Sequence, residues 1–311
     1  MKKTVVFGHK GLVGSSLLRT KPKDVEILTT LRTEVNLENI QSVRTYLKNV
    51  QPDQLILAAA YVGGIGANSK YQKDFLLKNL NIQNSVLTAA ADVGVEKVIF
   101  LGSSCIYPRE AHQPISELSL LSGPLEPTNE GYALAKIAGI RLARAIFEEN
   151  DLDFFSLMPT NLYGPNDNFD LLKSHVPAAL MRRFHEAKIQ NAKSITVWGT
   201  GTPRREFMHV DDMAAACWYM FTQETKGELF NVGTGNDISI KDFAELMAQV
   251  VGFRGVIEFD SSKPDGTPRK LLDVSKIQKL GWRHQISLQD GLSRTYNWFE
   301  EAYVKGDIRG I

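Results

Sequence analysis

Tyr132 and Lys136 lie four residues apart in the segment NEGYALAKIAG. Side chains at this spacing share one face of a helix. A free tyrosine, with a pKa of ~10, is a poor acid–base group near neutrality, but a neighbouring ammonium favours the phenolate and lowers that pKa. The pair therefore predicts a phenol that gives a proton to a carbonyl oxygen while a hydride reaches the carbon. Ordinary surface pairs have the same spacing, so the hypothesis needs support from other residues.

The segment LGSSCIYP, residues 101–108, adds two candidates where an apolar run ends. The Ser103 hydroxyl can donate a hydrogen bond to the same carbonyl oxygen, although a serine at a strand end is more often part of a turn. Cys105 follows in a polar loop, whereas cysteine is usually buried as a small hydrophobe. A chemical role for the thiol and a packing role are both open at this point.

The segment GHKGLVG places Gly8, Gly11 and Gly14 directly after the first apolar run. Glycine lets a strand turn tightly into a helix and lets backbone amides approach a pyrophosphate. The spacing differs from the standard G-x-G-x-x-G fingerprint, and a tight turn without a ligand is the alternative. The pattern predicts a dinucleotide site. The residues between the glycines belong to it as well: His9, Lys10, Leu12 and Val13.

The residues after the second strand indicate which dinucleotide binds. Enzymes that prefer NAD often place an acid there for the ribose hydroxyls. This chain has Arg32 nearest the expected place, and Lys10 lies in the glycine turn. Two cations suit a 2′-phosphate, so we expect NADP(H). Solvated surface charges are the alternative for both cations, and Glu34 keeps NAD open.

Strand-like apolar runs alternate with helix-period stretches through the first half of the chain. This pattern predicts an α/β fold with a doubly wound parallel sheet, whose ligands bind beyond the carboxyl ends of the strands. A smaller α/β domain is expected to follow, with residues 1–163 binding the cofactor and 164–311 the substrate. The chain is expected to return to the first domain near 206–233, leaving mainly 164–205 and 234–311 in the second. The predicted strands are 4–7, 25–30, 54–60, 97–103 and 153–159, and the predicted helices are 12–19, 40–48, 74–91 and 132–149.

Composition narrows the class of protein. The chain has 311 residues, of which 43% are hydrophobic and 23% charged, and its formal net charge is +1. This is typical of a globular protein and gives no reason to expect a nucleic-acid partner. Two cysteines fit a reducing cytoplasm, and no apolar run approaches the ~20 residues of a membrane span. Cys217 and His209 lie in helix-like segments, and we expect structural roles for both.

The glycine turn, the strand-end serine and Tyr-x-x-x-Lys, in this order, resemble the extended branch of the short-chain dehydrogenase/reductase (SDR) superfamily. Longer segments are more specific. The chain is similar over nearly its whole length to the GDP-L-fucose synthase family in these segments: LGSSCIYP, EPTNEGYALAKIAG, MPTNLYGPNDNF, SHVPAALMRRFHEA, VWGTGTPRREFMHVDDMA, NVGTG and SKPDGTPRKLLDVSK. The resemblance implies a Rossmann fold and a cytoplasmic homodimer built on the helices 74–91 and 132–149.

It also implies a reaction, the 3,5-epimerisation and NADPH-dependent 4-reduction of GDP-4-keto-6-deoxy-D-mannose. A 4-ketone acidifies the C–H bonds on both neighbouring carbons, and inversion needs proton-handling groups on opposite faces with pKa values near the working pH. Cysteine (~8.5) and histidine (~6.5) fit best. The resemblance gives these roles to Cys105 and His175, and the proton donation at C4 to Tyr132. A capping role just before a helix is the alternative for His175.

The family's binding positions carry over residue by residue. Those expected to contact the cofactor beyond the glycine turn are Leu101, Gly102, Ser103, Ser104, Tyr132, Lys136, Pro159, Thr160, Asn161, Leu162 and His175. The matching substrate contacts are Arg183, Trp198, Arg205 and Asp265. Arg269 and Lys270 are further cations available for the diphosphate, and Arg269 is expected to bind it. No metal is expected. Lys10 stands where the family pattern has arginine, which keeps the charge but loses the planar fork.

Three other functions remain open from the sequence. A GDP-4-keto-3,6-dideoxymannose epimerase–reductase, of the kind that makes GDP-L-colitose, needs the same ketone chemistry without inversion at C3. A dehydratase or simple 4-epimerase recycles a bound NAD⁺ and consumes no NADPH. A catalytically inactive dinucleotide-sensing module typically lacks the tyrosine or lysine, and this chain has Ser103, Tyr132 and Lys136.

Overall fold

The computed structural model describes residues 1–171, 174–263 and 265–311. The strands, in chain order, are β1 (Lys2–Phe7), β2 (Val25–Leu28), β3 (Gln54–Leu57), β4 (Lys97–Leu101), β5 (Asp153–Pro159), β6 (Asn161–Tyr163), β7 (Ser194–Trp198), β8 (Arg204–Arg205), β9 (Phe207–His209), β10 (Leu229–Val232), β11 (Ile238–Ser239), β12 (Val256–Asp260) and β13 (Arg269–Lys270). The helices are α1 (Leu12–Arg19), α2 (Ile40–Val50), α3 (Ile65–Lys70), α4 (Gln72–Val93), α5 (Glu130–Asn150), α6 (Val176–Ile189), α7 (Val210–Met220), α8 (Ile240–Val251), α9 (Ser275–Lys279) and α10 (Leu288–Lys305). Short 3₁₀ turns cover Ser104–Ile106, Glu117–Ser119 and Pro127–Asn129.

Six parallel strands form the central sheet in the order β10-β5-β4-β3-β1-β2. Their apolar runs are buried along most of their length; Val5, Val6 and Phe7 of β1 are at most 1% exposed. Strands of this kind need cover on both faces, which the helices between them supply. The predicted α/β fold with a doubly wound parallel sheet is confirmed.

The predicted elements of the first half agree closely with the structure. The helix at 12–19 and the strand at 153–159 have the predicted bounds, whereas the predicted strands at 25–30, 54–60 and 97–103 end two or three residues early. The extra residues have left the sheet at its carboxyl edge, where the loops gather. Among the described residues, the short strands β6 to β13 had no predicted counterpart, because two to five residues carry too little periodicity.

The chain crosses back to the central sheet after the first half. Strand β10 pairs with β5 at the sheet edge, Leu229 beside Ser156. Helix α7 packs on α1, where Ser16 Oγ donates to Asp211 Oδ1 at 2.6 Å and Arg19 forms an ion pair with the same carboxylate. Residues of the 208–232 segment therefore lie in the same hydrophobic core as the first half.

A second hydrophobic core lies among α6, α8, α10 and the strands β7 and β12. Phe184, Phe243 and Phe299 are fully buried there, and Phe207 stacks on Phe243 with ring centroids 4.2 Å apart. Strands β6 and β9 pair in parallel and lead from the carboxyl end of β5 into this core. No helix among the residues described is long and apolar enough to cross a membrane.

Glu206 ties the two cores together at the base of the cleft. It is completely buried, and its carboxylate accepts from the backbone amides of Thr234 at 2.6 Å, Gly235 at 2.8 Å and Leu272 at 3.0 Å. Burial raises the pKa of Glu206 against the opposing effect of these hydrogen bonds. Two separate segments, residues 234–235 and Leu272, therefore converge on the side chain of a third.

We expect Glu206→Ala to lower the free energy of unfolding by about 2–4 kcal/mol, because three buried amides lose their acceptor. Urea denaturation followed by circular dichroism measures this. Glu245→Ala, at an exposed position of α8, is the control and should stay within about 0.5 kcal/mol of the parent. Equal effects of the two substitutions would contradict the role given to Glu206.

Candidate active site

The predicted site residues of the first half gather at the carboxyl edge of the central sheet. The glycine turn follows β1, residues 101–105 follow β4, and Pro159 to Leu162 follow β5. Because parallel strands end at the same edge, this is where a doubly wound sheet binds its ligands. Residues from the second core approach the edge across a cleft.

The glycine turn has the shape of a phosphate cradle. Gly8 has a φ of +94°, and a Cβ there would lie 2.6 Å from the Ala59 amide nitrogen. A Cβ on Gly14 would lie 2.1 Å from the Gly8 carbonyl oxygen, while the Gly11 amide donates to that oxygen at 3.0 Å. Helix α1 starts here without a side-chain cap and without an acidic residue in its first turn. Its first amides are thus available to an anion, and the turn fits a dinucleotide pyrophosphate.

The end of β2 favours a 2′-phosphate over a free ribose. Arg32 and Lys10 are exposed, and within the described ranges neither side chain has an ion-pair or hydrogen-bond partner. The carboxylate of Glu34 instead accepts from the Leu31 amide at 2.7 Å and from Thr30 Oγ1 at 3.1 Å. These bonds hold the pKa of Glu34 below its ordinary value. Glu34, the residue that could have bound the ribose of NAD, is thus engaged in the turn. Among the described residues, the two cations Arg32 and Lys10 are unpaired.

Lys136 is a buried ammonium beneath the end of β4. Its side chain lies on α5, is 3% exposed and donates from Nζ to the Leu101 carbonyl at 2.8 Å. The same nitrogen lies 4.7 Å from the Phe100 ring centroid and 5.7 Å from that of Tyr132. Burial lowers the pKa of Lys136 to about 8. Tyr132 on the same helix face is half-buried, so the predicted pair points toward the end of β4 and is not a surface pair.

The expected effect on the Tyr132 phenol is wrong in sign. Burial raises its pKa above the ordinary value, and the charge of Cys105 raises it further. The reason is that a phenolate inside the protein loses more solvation than the nearby ammonium returns. Tyr132 is therefore protonated at neutral pH, which is the form a proton donor needs.

Cys105 lies in a 3₁₀ turn at the edge of the cleft. It is 7% exposed, yet it belongs to neither hydrophobic core, whereas Cys217 packs inside the first one. Its amide approaches Ser103 Oγ at 3.5 Å. Burial raises the pKa of the Cys105 thiol, while Lys270, Ser103 and Lys136 each act to lower it. Burial thus outweighs these three groups, and the thiol form is favoured over the thiolate.

His175 immediately precedes α6 but does not cap it with its side chain. The residue as a whole is exposed. The protein groups crowded around it lower its pKa, and the charge of Lys270 lowers it further. His175 thus occupies the N-cap position of α6 while its ring makes no capping hydrogen bond, and the charge of Lys270 acts on both His175 and Cys105.

The predicted substrate residues come from the loops and strands around β7 and β8. Arg183 donates to the Thr196 carbonyl, and Arg205 donates from Nη1 to the Arg204 carbonyl at 2.8 Å. Asp265 accepts from the Thr200 amide at 2.8 Å and from its hydroxyl at 2.7 Å, which closes the loop after β7. Trp198 at the end of that strand is 67% exposed, so its ring is available for stacking.

Arg269 does not face the site in the way we expected. It bonds to Asp237, which also accepts from Arg204 Nε at 2.8 Å. Its neighbour Lys270 instead carries the charge that reaches Cys105, His175 and Arg205. Adjacent residues of a strand point to opposite faces. Arg269 and Lys270 therefore point to opposite sides of β13, which pairs with Arg204 and Arg205 of β8.

The residues after β5 are fixed by backbone contacts. The Thr160 amide donates to Val232 O at 2.9 Å, and Thr160 Oγ1 and Asn161 Nδ2 both donate to Glu206 O. Gly102 lies opposite Met158, and a Cβ added to this glycine would lie 1.8 Å from the Met158 methyl carbon.

Two structural expectations are confirmed: His209 caps α7 by accepting from the Asp211 amide at 3.2 Å, and Cys217 is fully buried.

The sequence profile of the NAD dependent epimerase/dehydratase family matches residues 4–233. GDP-L-fucose synthase of Escherichia coli is 51% identical over 97% of this chain and 98% of its own length. GDP-L-fucose synthase 1 of Arabidopsis thaliana is 51% identical over 96% of this chain and 93% of its own. GDP-L-colitose synthase of Yersinia pseudotuberculosis is more distant, at 37% over 96% of this chain and 97% of its own.

Among solved structures, a GDP-L-fucose synthetase from Naegleria fowleri bound to NADP superimposes with a TM-score of 0.91. Its sequence is 29% identical, and the match covers 98% of this chain and 95% of that one. The shared fold thus extends over both hydrophobic cores and the cleft between them. This chain belongs to the NAD dependent epimerase/dehydratase family, in the extended branch of the SDR superfamily.

Proposed function

We propose that this protein is a GDP-L-fucose synthase, which inverts C3 and C5 of GDP-4-keto-6-deoxy-D-mannose and reduces its C4 ketone with NADPH. The observation that carries the proposal is the arrangement at the end of β4, where Ser103 and Cys105 lie in one turn and the Lys136 ammonium on the Tyr132 face of α5 binds the Leu101 carbonyl. His175 precedes α6 in the second part of the chain. The curated relatives at about 51% identity support the same reaction.

Each epimerisation needs a base on one face of the sugar and an acid on the other. Cys105 and His175 take these two roles, and the removed proton leaves its electron pair as an enolate. Ser103 and Tyr132 donate hydrogen bonds to the enolate oxygen, which is where such a site gains most of its rate.

Reduction follows at the same carbonyl. NADPH supplies a hydride when it is bound. Tyr132 gives its proton to the C4 oxygen, and the Lys136 ammonium stabilises the phenolate that remains. The buried Lys136 ammonium therefore stabilises Tyr132 chiefly after the phenol has given up its proton and become negatively charged.

The remaining residues hold the two ligands. The residues proposed to hold NADP(H) are Gly8 to Gly14, Arg32, Leu101 to Ser104, Tyr132, Lys136, Pro159 to Leu162 and His175. The proposed substrate set is Arg183, Trp198, Arg205 and Asp265, in which arginine forks suit the diphosphate. We omit Arg269, because Asp237 already binds its guanidinium. A reducing cytoplasm would keep the Cys105 thiol free.

A mixture of each keto-sugar with the protein and NADPH tests the proposal. We expect GDP-4-keto-6-deoxymannose to give GDP-L-fucose with one NADPH consumed per sugar, and solvent deuterium at C3 and C5. Cys105→Ser should suppress epimerisation and leave some reduction of the unepimerised ketone. Tyr132→Phe should slow reduction by about 10²–10⁴-fold while deuterium still enters the sugar.

Other outcomes separate the alternatives. Turnover of GDP-4-keto-3,6-dideoxymannose alone would indicate a colitose-type enzyme, as in the relative at 37% identity. Conversion without net NADPH consumption would indicate a dehydratase or a 4-epimerase. Normal epimerisation by Cys105→Ser would remove that residue from the proposed pair.

The buried Lys136 charge should make the protein less stable near neutral pH. Its pKa in the folded state, about 8, lies below the ordinary ~10.4, so the unfolded chain holds more protons between these values and stability rises with pH there. Below pH 8 the charge costs up to about 3 kcal/mol. Lys136→Met should therefore raise the free energy of unfolding by about 1–3 kcal/mol at pH 7 and by less at pH 10. The same variant should lose its activity in reducing the C4 ketone.

Urea denaturation at several pH values measures this effect. Lys48→Met, at an exposed position of α2, is the matched control and should change the unfolding free energy by less than about 0.5 kcal/mol. A destabilised Lys136→Met protein at pH 7 would contradict the argument.

We also propose a homodimer through α4 and α5. These helices pack against each other, and their outer faces expose Leu77 by 49% and Leu134 by 43%. Ala138, one turn beyond Leu134, is exposed too. A second copy related by a two-fold axis would bury the same surface on both chains.

Leu134→Glu should convert the dimer to a monomer, because it places a charge in an apolar interface. Sedimentation velocity of both proteins measures the change. Leu118→Glu alters a residue that is 92% exposed outside these helices, and it should leave the assembly unchanged. A monomeric parent protein would overturn the homodimer.

A further inference from the structure

Helix α5 carries Tyr132 in its first turn, and that turn has no cap from its own segment. The residue at the N-cap position, Asn129, makes no capping hydrogen bond with its side chain. Because the first amides of a helix have no acceptor inside the helix, a first turn without a cap opens more easily than the turns that follow. The proposed proton donor thus lies where a helix is least firmly fixed.

Gln72, the first residue of α4, supplies the missing cap from another helix. Its Oε1 accepts from the Gly131 amide at 3.1 Å, and its Nε2 donates to the Pro127 carbonyl at 2.8 Å. Both ends of one side-chain amide therefore bind the backbone on either side of the helix start. The two backbones approach closely here, since a Cβ on Gly131 would lie 2.7 Å from the Gln72 carbonyl oxygen. The backbone is thus held at the residue directly before Tyr132.

The ring of Tyr132 contacts α4 as well. Phe75, three residues after Gln72, is 2% exposed. Its ring stands at 88° to that of Tyr132, with the ring centroids 6.3 Å apart, which is a favourable edge-to-face geometry. Tyr61 packs on Phe75 in turn, with ring centroids 4.7 Å apart. The direction of the phenol is therefore set by a backbone clamp and by a ring contact, both from α4.

The second turn of α5 has contacts of its own. Gln83, further along α4, is 2% exposed and donates from Nε2 to the Ala135 carbonyl at 2.5 Å. Lys136 donates to the Leu101 carbonyl at 2.8 Å. Neither bond involves the first turn, so losing the Gln72 bonds would loosen that turn and leave Lys136 in place.

We propose that Gln72 is a positioning residue for reduction, which holds the first turn of α5 so that the Tyr132 phenol stays within reach of the C4 oxygen. This inference rests on the proposed function. Gln72 exchanges no proton; the phenolic proton passes from Tyr132 to the C4 oxygen as hydride reaches the carbon. Such a transfer needs the donor within hydrogen-bond distance, and a displacement of about 1 Å can slow a reaction by about 10²-fold.

Gln72→Met tests the cap without substrate, because it removes both hydrogen bonds and keeps the length of the side chain. Hydrogen exchange of the Gly131 amide, read by mass spectrometry with fragmentation to single residues, should become about 5–30-fold faster as the first turn opens more often. Gln72→Glu keeps an acceptor and places a negative charge at a helix N-terminus, where it is favourable, so it should restore most of the protection. Gln249→Met, at an exposed position of α8, is the matched control and should exchange like the parent.

Kinetics with GDP-4-keto-6-deoxymannose separate positioning from a general loss of structure. Gln72→Met should lower kcat for reduction about 10–100-fold, with little change in KM, when kcat is referred to the protein that binds NADPH. Deuterium entry at C3 and C5 does not consume the phenolic proton and should slow much less. Gln72→Glu should recover most of kcat, and Gln249→Met should keep all of it.

Several results would overturn the proposal. Unchanged exchange of the Gly131 amide in Gln72→Met would remove the cap, and faster exchange with unchanged reduction would remove the positioning role. Equal losses of reduction and of deuterium entry would mean that Gln72 only stabilises the fold. Should the methionine variant fail to fold, Gln72→Lys gives the same comparison, because it keeps a donor for the Pro127 carbonyl and offers no acceptor to Gly131.

The proposed function can fail separately. A parent protein that leaves GDP-4-keto-6-deoxymannose unchanged would refute the reaction, yet the exchange of the Gly131 amide would still decide whether Gln72 caps α5. Faster exchange in Gln72→Met, in a protein without activity on this sugar, would thus locate the error in the substrate rather than in the contact between the two helices.

Discussion

The Lys136 ammonium, held out of water at the carboxyl edge of the sheet, is the constraint on which the site depends. It is held by one carbonyl and two aromatic rings. Its burial lowers its pKa to about 8, while the half-buried Lys270 adds a second positive charge whose pKa is also lowered. In a medium of low dielectric such charges act strongly on nearby anions. The two cores and the Glu206 contacts hold them there.

The topology of the chain explains how these charges meet. Ser103, Cys105 and the surroundings of Lys136 come from the end of β4 and from α5. His175 and Arg205 lie next to residues of the second core, and Lys270 lies on β13, which pairs with β8. The pairing of β6 with β9 and the three amides bound by Glu206 join the two parts. The proposed epimerisation pair therefore has one member on each part, as the two faces of a sugar require.

Local signals in the sequence were enough for much of this arrangement. The strands of the first half, the glycine turn and the Tyr132–Lys136 face follow from periodicity and spacing, and they agree with the structure. The sign of the Tyr132 shift did not follow, because it depends on how deeply the phenol is buried. The ion pair that engages Arg269 with Asp237 did not follow either, since it forms at a two-residue strand with too little periodicity to be predicted.

The ionisation states also limit the order of the proposed steps. The carbonyl acidifies its neighbours only until hydride reaches it, so both inversions must precede reduction. During the inversions Tyr132 must hold the oxygen by a hydrogen bond without losing its proton, and the pKa raised by burial favours this. Hydride transfer then produces an alkoxide, a much stronger base than an enolate, which can take the phenolic proton. A lowered tyrosine pKa would have supplied a phenolate, which cannot donate to either anion. The buried phenol thus suits a site that uses one ketone twice.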